Sequence, residues 1–105
     1  MIASHRFFLQ GPSTTGNYTV PANYVASIRG IALYNYDTAA NFHTWWLQVN
    51  GIYVAGGTEP GDNVGTQAAL SRSIDLRVVA NAGDALTFFT GAFVYAAVSG
   101  FLFTI

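Results

Sequence analysis

The side chains best suited to hold a metal or move a proton are few: His5, His43, Glu59 and the aspartates 37, 62, 75 and 84. The two histidines lie far apart in the sequence, with no carboxylate at ligand-like spacing. A metal site needs three or four converging ligands, so no metal or other cofactor is expected. His43, just ahead of Thr44-Trp45-Trp46, reads as a polar residue at a strand start. Thr58-Glu59-Pro60-Gly61-Asp62-Asn63 gathers oxygen-bearing side chains, but calcium takes six to eight oxygens and the spacing matches no EF-hand. It reads as a solvated loop on the outer surface. Ser71 and Ser73 have no base placed by sequence, and no Gly-Xaa-Ser-Xaa-Gly elbow or phosphate-binding glycine loop occurs. Asp84, in Asn81-Ala82-Gly83-Asp84, is a turn residue. These residues support no enzyme.

Trp45 and Trp46 offer a different chemistry. Consecutive residues of a strand point to opposite faces, so one is expected in the core and the other outside. An exposed indole can fill a partner's pocket or stack on a sugar. The interface is the favoured use, because the chain is short of polar surface. Only 9% of its residues are charged, against about 25% in a typical domain. Lys is absent, the bases being Arg6, Arg29, Arg72 and Arg77, and hydrophobic residues reach 51%. Four bases at a net charge of -1 cannot track a phosphate backbone, which excludes a general nucleic-acid binder. With no Cys there is no disulfide scaffold or thiol chemistry. The opening MIASHRFF lacks a basic region followed by an apolar one, so no signal peptide is expected and synthesis would be in the cytoplasm. A monomer of this length exposes roughly 5,700 Å², a large area for so few charges. A partner surface, first of all another copy of the chain, is therefore expected.

The elements that position these residues follow from regular punctuation. Gly, Pro, Asn and Asp clusters separate short runs rich in Val, Ile, Tyr, Phe, Trp and Thr. This spacing predicts an all-β, single-domain antiparallel β-sandwich over residues 1–105, jelly-roll-like with about eight strands. Strands are predicted at 4–10, 17–20, 24–35, 42–49, 52–55, 67–80, 85–90 and 93–104, with Asn50-Gly51 as a hairpin turn. Strict alternation over 24–36 would set Val25, Ser27, Arg29, Ile31, Leu33 and Asn35 on one face. Residues 71–79 read as half-buried with a polar outer face. The last strand is apolar on both faces, with Phe93, Tyr95, Phe101 and Phe103 sharing one of them. In a small sandwich one such face normally meets water, so a subunit contact is expected there. Residues 85–105 also carry no charge and meet the length of a membrane-spanning helix. The internal turn signal at Thr90-Gly91 and the lack of flanking bases argue instead for strands and no membrane.

One arrangement of motifs is familiar. Tyr18-Thr19-Val20-Pro21-Ala22 leads into Val25-Ala26-Ser27-Ile28-Arg29-Gly30-Ile31; Trp46-Leu47-Gln48-Val49-Asn50-Gly51-Ile52 follows. Val79-Ala80-Asn81-Ala82-Gly83-Asp84-Ala85-Leu86 and Val98-Ser99-Gly100-Phe101-Leu102 close the series. Together they resemble the small β-sandwich virion proteins of tailed bacteriophages: capsid decoration (cement) proteins and related tail or fibre modules. The resemblance spans nearly the whole chain, through turn motifs that specify architecture more than role. It implies a virion structural protein, often a homotrimer, that binds the major capsid protein or another virion protein. Residues expected in the subunit or capsid interface, or in the core behind it, are Arg6, Phe7, Trp45, Trp46, Phe93, Tyr95, Phe101 and Phe103. Arg6 and Arg29 could pair with carboxylates across such an interface, since Arg suits bidentate pairing. The segment 2–9 could extend an edge strand. The alternatives are a tail or fibre module binding a receptor or carbohydrate, and a small membrane-active protein.

Overall fold

Runs of β-branched and aromatic residues favour the pleated, half-buried surface of a sheet. Here they form β1 (Ile2–Gln10), β2 (Thr14–Thr19), β3 (Tyr24–Asn35), β4 (Phe42–Val49), β5 (Ile52–Pro60), β6 (Ser71–Ala80), β7 (Ala85–Thr90) and β8 (Val94–Thr104). The computed structural model describes residues 2–39, 41–60 and 71–105. The strands make two four-stranded antiparallel sheets, β1-β8-β3-β6 and β2-β7-β4-β5. First strand pairs with last, second with seventh, third with sixth and fourth with fifth, the nested pairing of a jelly roll.

The core fills the space between the sheets. Ile28, Ile31, Val94 and Val98 of one sheet meet Trp45, Leu47, Leu86 and Phe88 of the other. Each such side chain contributes about 1.5–3 kcal/mol when fully buried. The folded chain exposes 5676 Å², the area that mass scaling anticipates. Unusually complete burial therefore does not absorb the apolar excess, and Ile2, Leu9, Tyr53, Val79 and Tyr95 remain outside.

Asn50 and Gly51 both have positive φ (50° and 79°), the mirror-image turn that a two-residue hairpin requires. The Asn50 amide donates to Asp84 Oδ1 (2.9 Å), and the Ala85 N–H donates to Asn50 Oδ1 (2.9 Å). Asp84 also accepts from the Asn81 N–H at 2.8 Å. The Asn50 hydrogen bond, and then that of Asn81, hold the Asp84 carboxyl below the usual carboxylate range.

Two sequence expectations are corrected by the fold, and the strand reading of residues 85–105 is met. The Gly56-Gly57 turn signal lies inside β5, which runs on from the predicted 52–55 to Pro60. A Cβ on Gly56 would stand 3.3 Å from the Trp45 carbonyl oxygen and Trp46 Cβ, a tight approach to the β4 backbone, while one on Gly57 would only touch the Trp45 indole. The alternation predicted for 24–36 breaks at Arg29, where a bulge shifts the register between Ile28 and Gly30. Ala26 and Ile28 face inward before it; Ile31, Leu33 and Asn35 do so after it, because one extra residue exchanges the faces. Residues 85–105 form two strands, and no helix among the described residues is long and apolar enough to cross a membrane. Residues 67–70 of the predicted sixth strand, and Asp62 and Asn63 of the candidate cation loop, lie outside the described residues.

Candidate functional site

The outer face of the β1-β8-β3-β6 sheet is built around small residues. Ala97 and Ser99 of β8 pair with Ala32 and Gly30 of β3 along its middle. Larger side chains surround them and leave a trough. A groove of about 540 Å³ among Leu9, Tyr34 and Tyr95 continues through a hollow over Ala97 and Ser99. It ends in a second groove of about 420 Å³ bounded by Ser4, Arg6, Arg29 and Phe101. Beyond that, Phe101 and Phe103 lie 6.3 Å apart, half-buried, with exposed Ile2 paired to Phe103.

Two bulges at the same level of the sheet set the arginines. On β1, Arg6 pairs with Ser99 just before the bulge at Phe7. On β3, Gly30 pairs with the same Ser99 just after the bulge at Arg29. Ser99 therefore has an arginine strand on either side. Gly100 makes this possible: a Cβ there would stand 1.9 Å from the Ser27 carbonyl oxygen, which the β3 bulge brings over it. Arg77 of β6 lies on the same face one strand further out, since its neighbours Leu76 and Val78 pack toward the core. Arg6, Arg29 and Arg77 are exposed, and none has a hydrogen bond or ion pair to another described residue.

The outer face of the β2-β7-β4-β5 sheet carries an aromatic strip instead. Trp46 stacks on Phe89 of β7 (centroids 5.3 Å, planes 20°) and meets Tyr53 of β5 edge-on (5.6 Å, 84°). Beside it Thr87 Oγ1 donates to Asn17 Oδ1 at 3.1 Å. The rings pack on one another, but Phe42 and Tyr53 of this face are each 67% exposed.

A buried polar cluster closes the end of the sandwich where β3 leaves and β4 enters. Asp37 Oδ2 lies 2.8 Å from His43 Nε2 and accepts from Asn41 Nδ2 at 3.2 Å; Asp37 Oδ1 accepts from the Ala39 N–H at 2.9 Å. The His43 hydrogen bond, followed by that of the Ala39 amide, holds the Asp37 carboxyl below its ordinary value. Glu59, expected on a solvated loop, is 4% exposed and accepts from Trp45 Nε1 (3.2 Å) and from Arg72. The reason is register: Glu59 pairs with inward-facing His43, so the pleat turns it toward the core. With both carboxylates occupied by donors, the cluster braces the β3–β4 connection. Among the described residues no group of three His, Asp or Glu side chains could hold a metal.

The expected interface residues thus separate. Arg6, Tyr95, Phe101 and Phe103 share the outer face of β1-β8-β3-β6, together with Arg29. Trp46 lies on the opposite face. Phe93, with φ 62° just ahead of β8, sits at the sandwich end against Tyr36 and His43 (both 5.1 Å). Phe7 and Trp45 are core residues, 7% and 3% exposed, and are not available to a partner. The β1 bulge turns both Phe7 and Phe8 inward, and Trp45 faces the core by strand alternation. Sequence reasoning missed Leu9 and Tyr34 as groove walls, and missed the Asp37–His43 pair. Only the short Asp37-to-His43 spacing hinted at that pair.

No family model matches the sequence, and no curated protein does. Solved structures do match in shape. The NLP-core of Drosophila, whose structure bears on pentamer formation and histone binding, superposes with a TM-score of 0.57 at 12% identity, covering 98% of each chain. The nucleoplasmin-like N-terminal domain of Drosophila FKBP39 gives 0.51 at 16% identity, over 100% of this chain and 90% of that one. Dimeric latent PorU from Porphyromonas gingivalis gives 0.54 at 12% identity, over 95% of this chain and 12% of that one. The chain shares their sandwich fold. At such identities the likeness is one of architecture.

Proposed function

We propose that this chain is a non-catalytic assembly module of a virus particle: a decoration protein that docks on the capsid protein lattice as a homotrimer and stabilises it. One observation carries the reading. The outer face of β1-β8-β3-β6 leaves Ile2, Leu9, Val79 and Tyr95 exposed around an unfilled trough. Exposed apolar side chains gathered on one face around a trough support a protein-interaction site there. The motif resemblance supplies the virion setting. The Drosophila NLP-core, alike in fold, forms pentamers, so ring assembly is within reach of this architecture. Several weak contacts from one oligomer can clamp neighbouring capsomers through avidity.

The test is light scattering of the purified protein, followed by co-sedimentation with particles that lack it. A trimer that pellets with heads supports the reading. A monomer at micromolar concentration, or protein found on purified tails and absent from heads, overturns it. A second reading, a tail or fibre module that binds a carbohydrate, draws on the Phe89–Trp46–Tyr53 strip. It predicts glycan binding that Trp46→Ala abolishes.

A further inference from the structure

The trough on the outer face of β1-β8-β3-β6 contains a charge pattern that the apolar surface around it does not explain. Arg6, Arg29 and Arg77 are three of the four bases in the whole chain, and all three lie on this one face. The fourth, Arg72, is already paired with Glu59. The acid that shares the face is Asp75, whose β3 partner is Gly30, and it makes no ion pair with another described residue. A chain that uses charge so sparingly has put in one place three guanidinium groups without a partner among the described residues. Two of them, Arg6 and Arg29, flank Ser99 and line the same groove with Ser4 and Phe101.

We propose that this groove is a carboxylate-binding site, and that its occupant is an acidic side chain of a partner protein. The proposal rests on the docking reading above and names the chemistry of the docked surface. A guanidinium matches a carboxylate with two parallel N–H donors. The Ser4 and Ser99 hydroxyls can supply further donors beside it. Phe101 and the apolar ends of the trough make a setting in which such a pair is partly removed from water. Arg and Tyr amid apolar residues is also the composition of protein interfaces. A second copy docked face to face is disfavoured, because it would bring an excess of guanidinium against the same excess. The partner surface must therefore be a different one, with carboxylates opposite Arg6 and Arg29 and apolar groups on either side.

The test titrates the intact protein with poly-L-glutamate and, in parallel, with polygalacturonate of matched length. The expected result is salt-sensitive binding of poly-L-glutamate that exceeds binding of the uronate chain. Arg29→Gln and Arg6→Gln each weaken it about tenfold. Arg29→Lys, which keeps the charge and loses the fork, weakens it several-fold. Equal or stronger binding of polygalacturonate overturns the protein-carboxylate assignment. So does poly-L-glutamate binding that is absent in the wild type, or unchanged in the Gln variants. Particle co-sedimentation separates the two readings. If the Arg6→Gln/Arg29→Gln double variant still pellets with heads, the carboxylate site fails and docking stands. If wild type binds poly-L-glutamate but never pellets with heads, docking fails and the site stands.

Discussion

The two outer faces of the sandwich resolve the same problem, too much apolar surface, in opposite ways. On β2-β7-β4-β5 the large rings cover one another: Trp46 lies between Phe89 and Tyr53. On β1-β8-β3-β6 the middle is kept small, with Gly30, Ala32, Ala97 and Ser99, and the large side chains stand apart around a trough. On the first face the rings pack on one another, yet Phe42 and Tyr53 are still 67% exposed, and that face carries no arginine. The second is left open, with apolar walls and free arginines. An incomplete face is where a partner contributes most, because each group it covers was still facing water. That difference, rather than total hydrophobicity, is the ground on which docking is proposed for one side of the molecule.

Four measurements break or sharpen the contrast. The largest effect is expected at Gly100, on which the bulged framework of the open face depends. Gly100→Ala drives a Cβ into the Ser27 carbonyl, and should cost at least about 3 kcal/mol, seen as a Tm lower by about 12 °C. An unchanged Tm would mean the bulge is not held there. On the self-covered face, Trp46→Ala should cost about 2 kcal/mol, since it removes two ring contacts and half-buried area. If thermal unfolding is unaffected, that strip is as open as the trough and the contrast collapses.

Acid probes the polar end that both sheets share. The Asp37 carboxyl is held below the ordinary 3.8 by His43 and the Ala39 amide. A lowered folded value means that stability is fully present above the unfolded value and is lost as pH falls through the folded one. The urea midpoint of the wild type should therefore fall as pH drops below about 4. Asp37→Asn should start lower and lose less over that range. The smallest effect belongs to the open face. Leu9 is 66% exposed, so Leu9→Ala should stay within about 0.5 kcal/mol of wild type while weakening co-sedimentation with particles.

Much of the fold was legible in the sequence. The bounds of β3, β4 and β7 follow from turn residues flanking β-branched and aromatic runs, and Asn50-Gly51 announces its hairpin by a positive-φ requirement that is local. The inward choice between Trp45 and Trp46 was not legible, because alternation fixes that they differ and not which one faces the core. The extension of β5 through Gly56-Gly57 was hidden because those glycines lie against Trp45 and Trp46 of a neighbouring strand, which their own sequence does not announce. The candidate site was legible only in pieces. Alternation along the last strand set Tyr95 and Phe101 on one face, but nothing in the spacing of Arg6 and Arg29 set them beside it.

The sequence by itself determined the class of the fold, the scarcity of charge and the excess of apolar residues, since composition and short-range backbone preferences suffice for these. The tertiary structure decided where the apolar residues and the arginines lie. Strand pairing in a jelly roll joins residues from opposite ends of the chain, as Arg6 with Ser99 and Ser99 with Gly30. Single-residue bulges then set which side each residue faces. Both depend on hydrogen-bond register between distant segments, and a periodicity read along one strand contains no information about its neighbour's register.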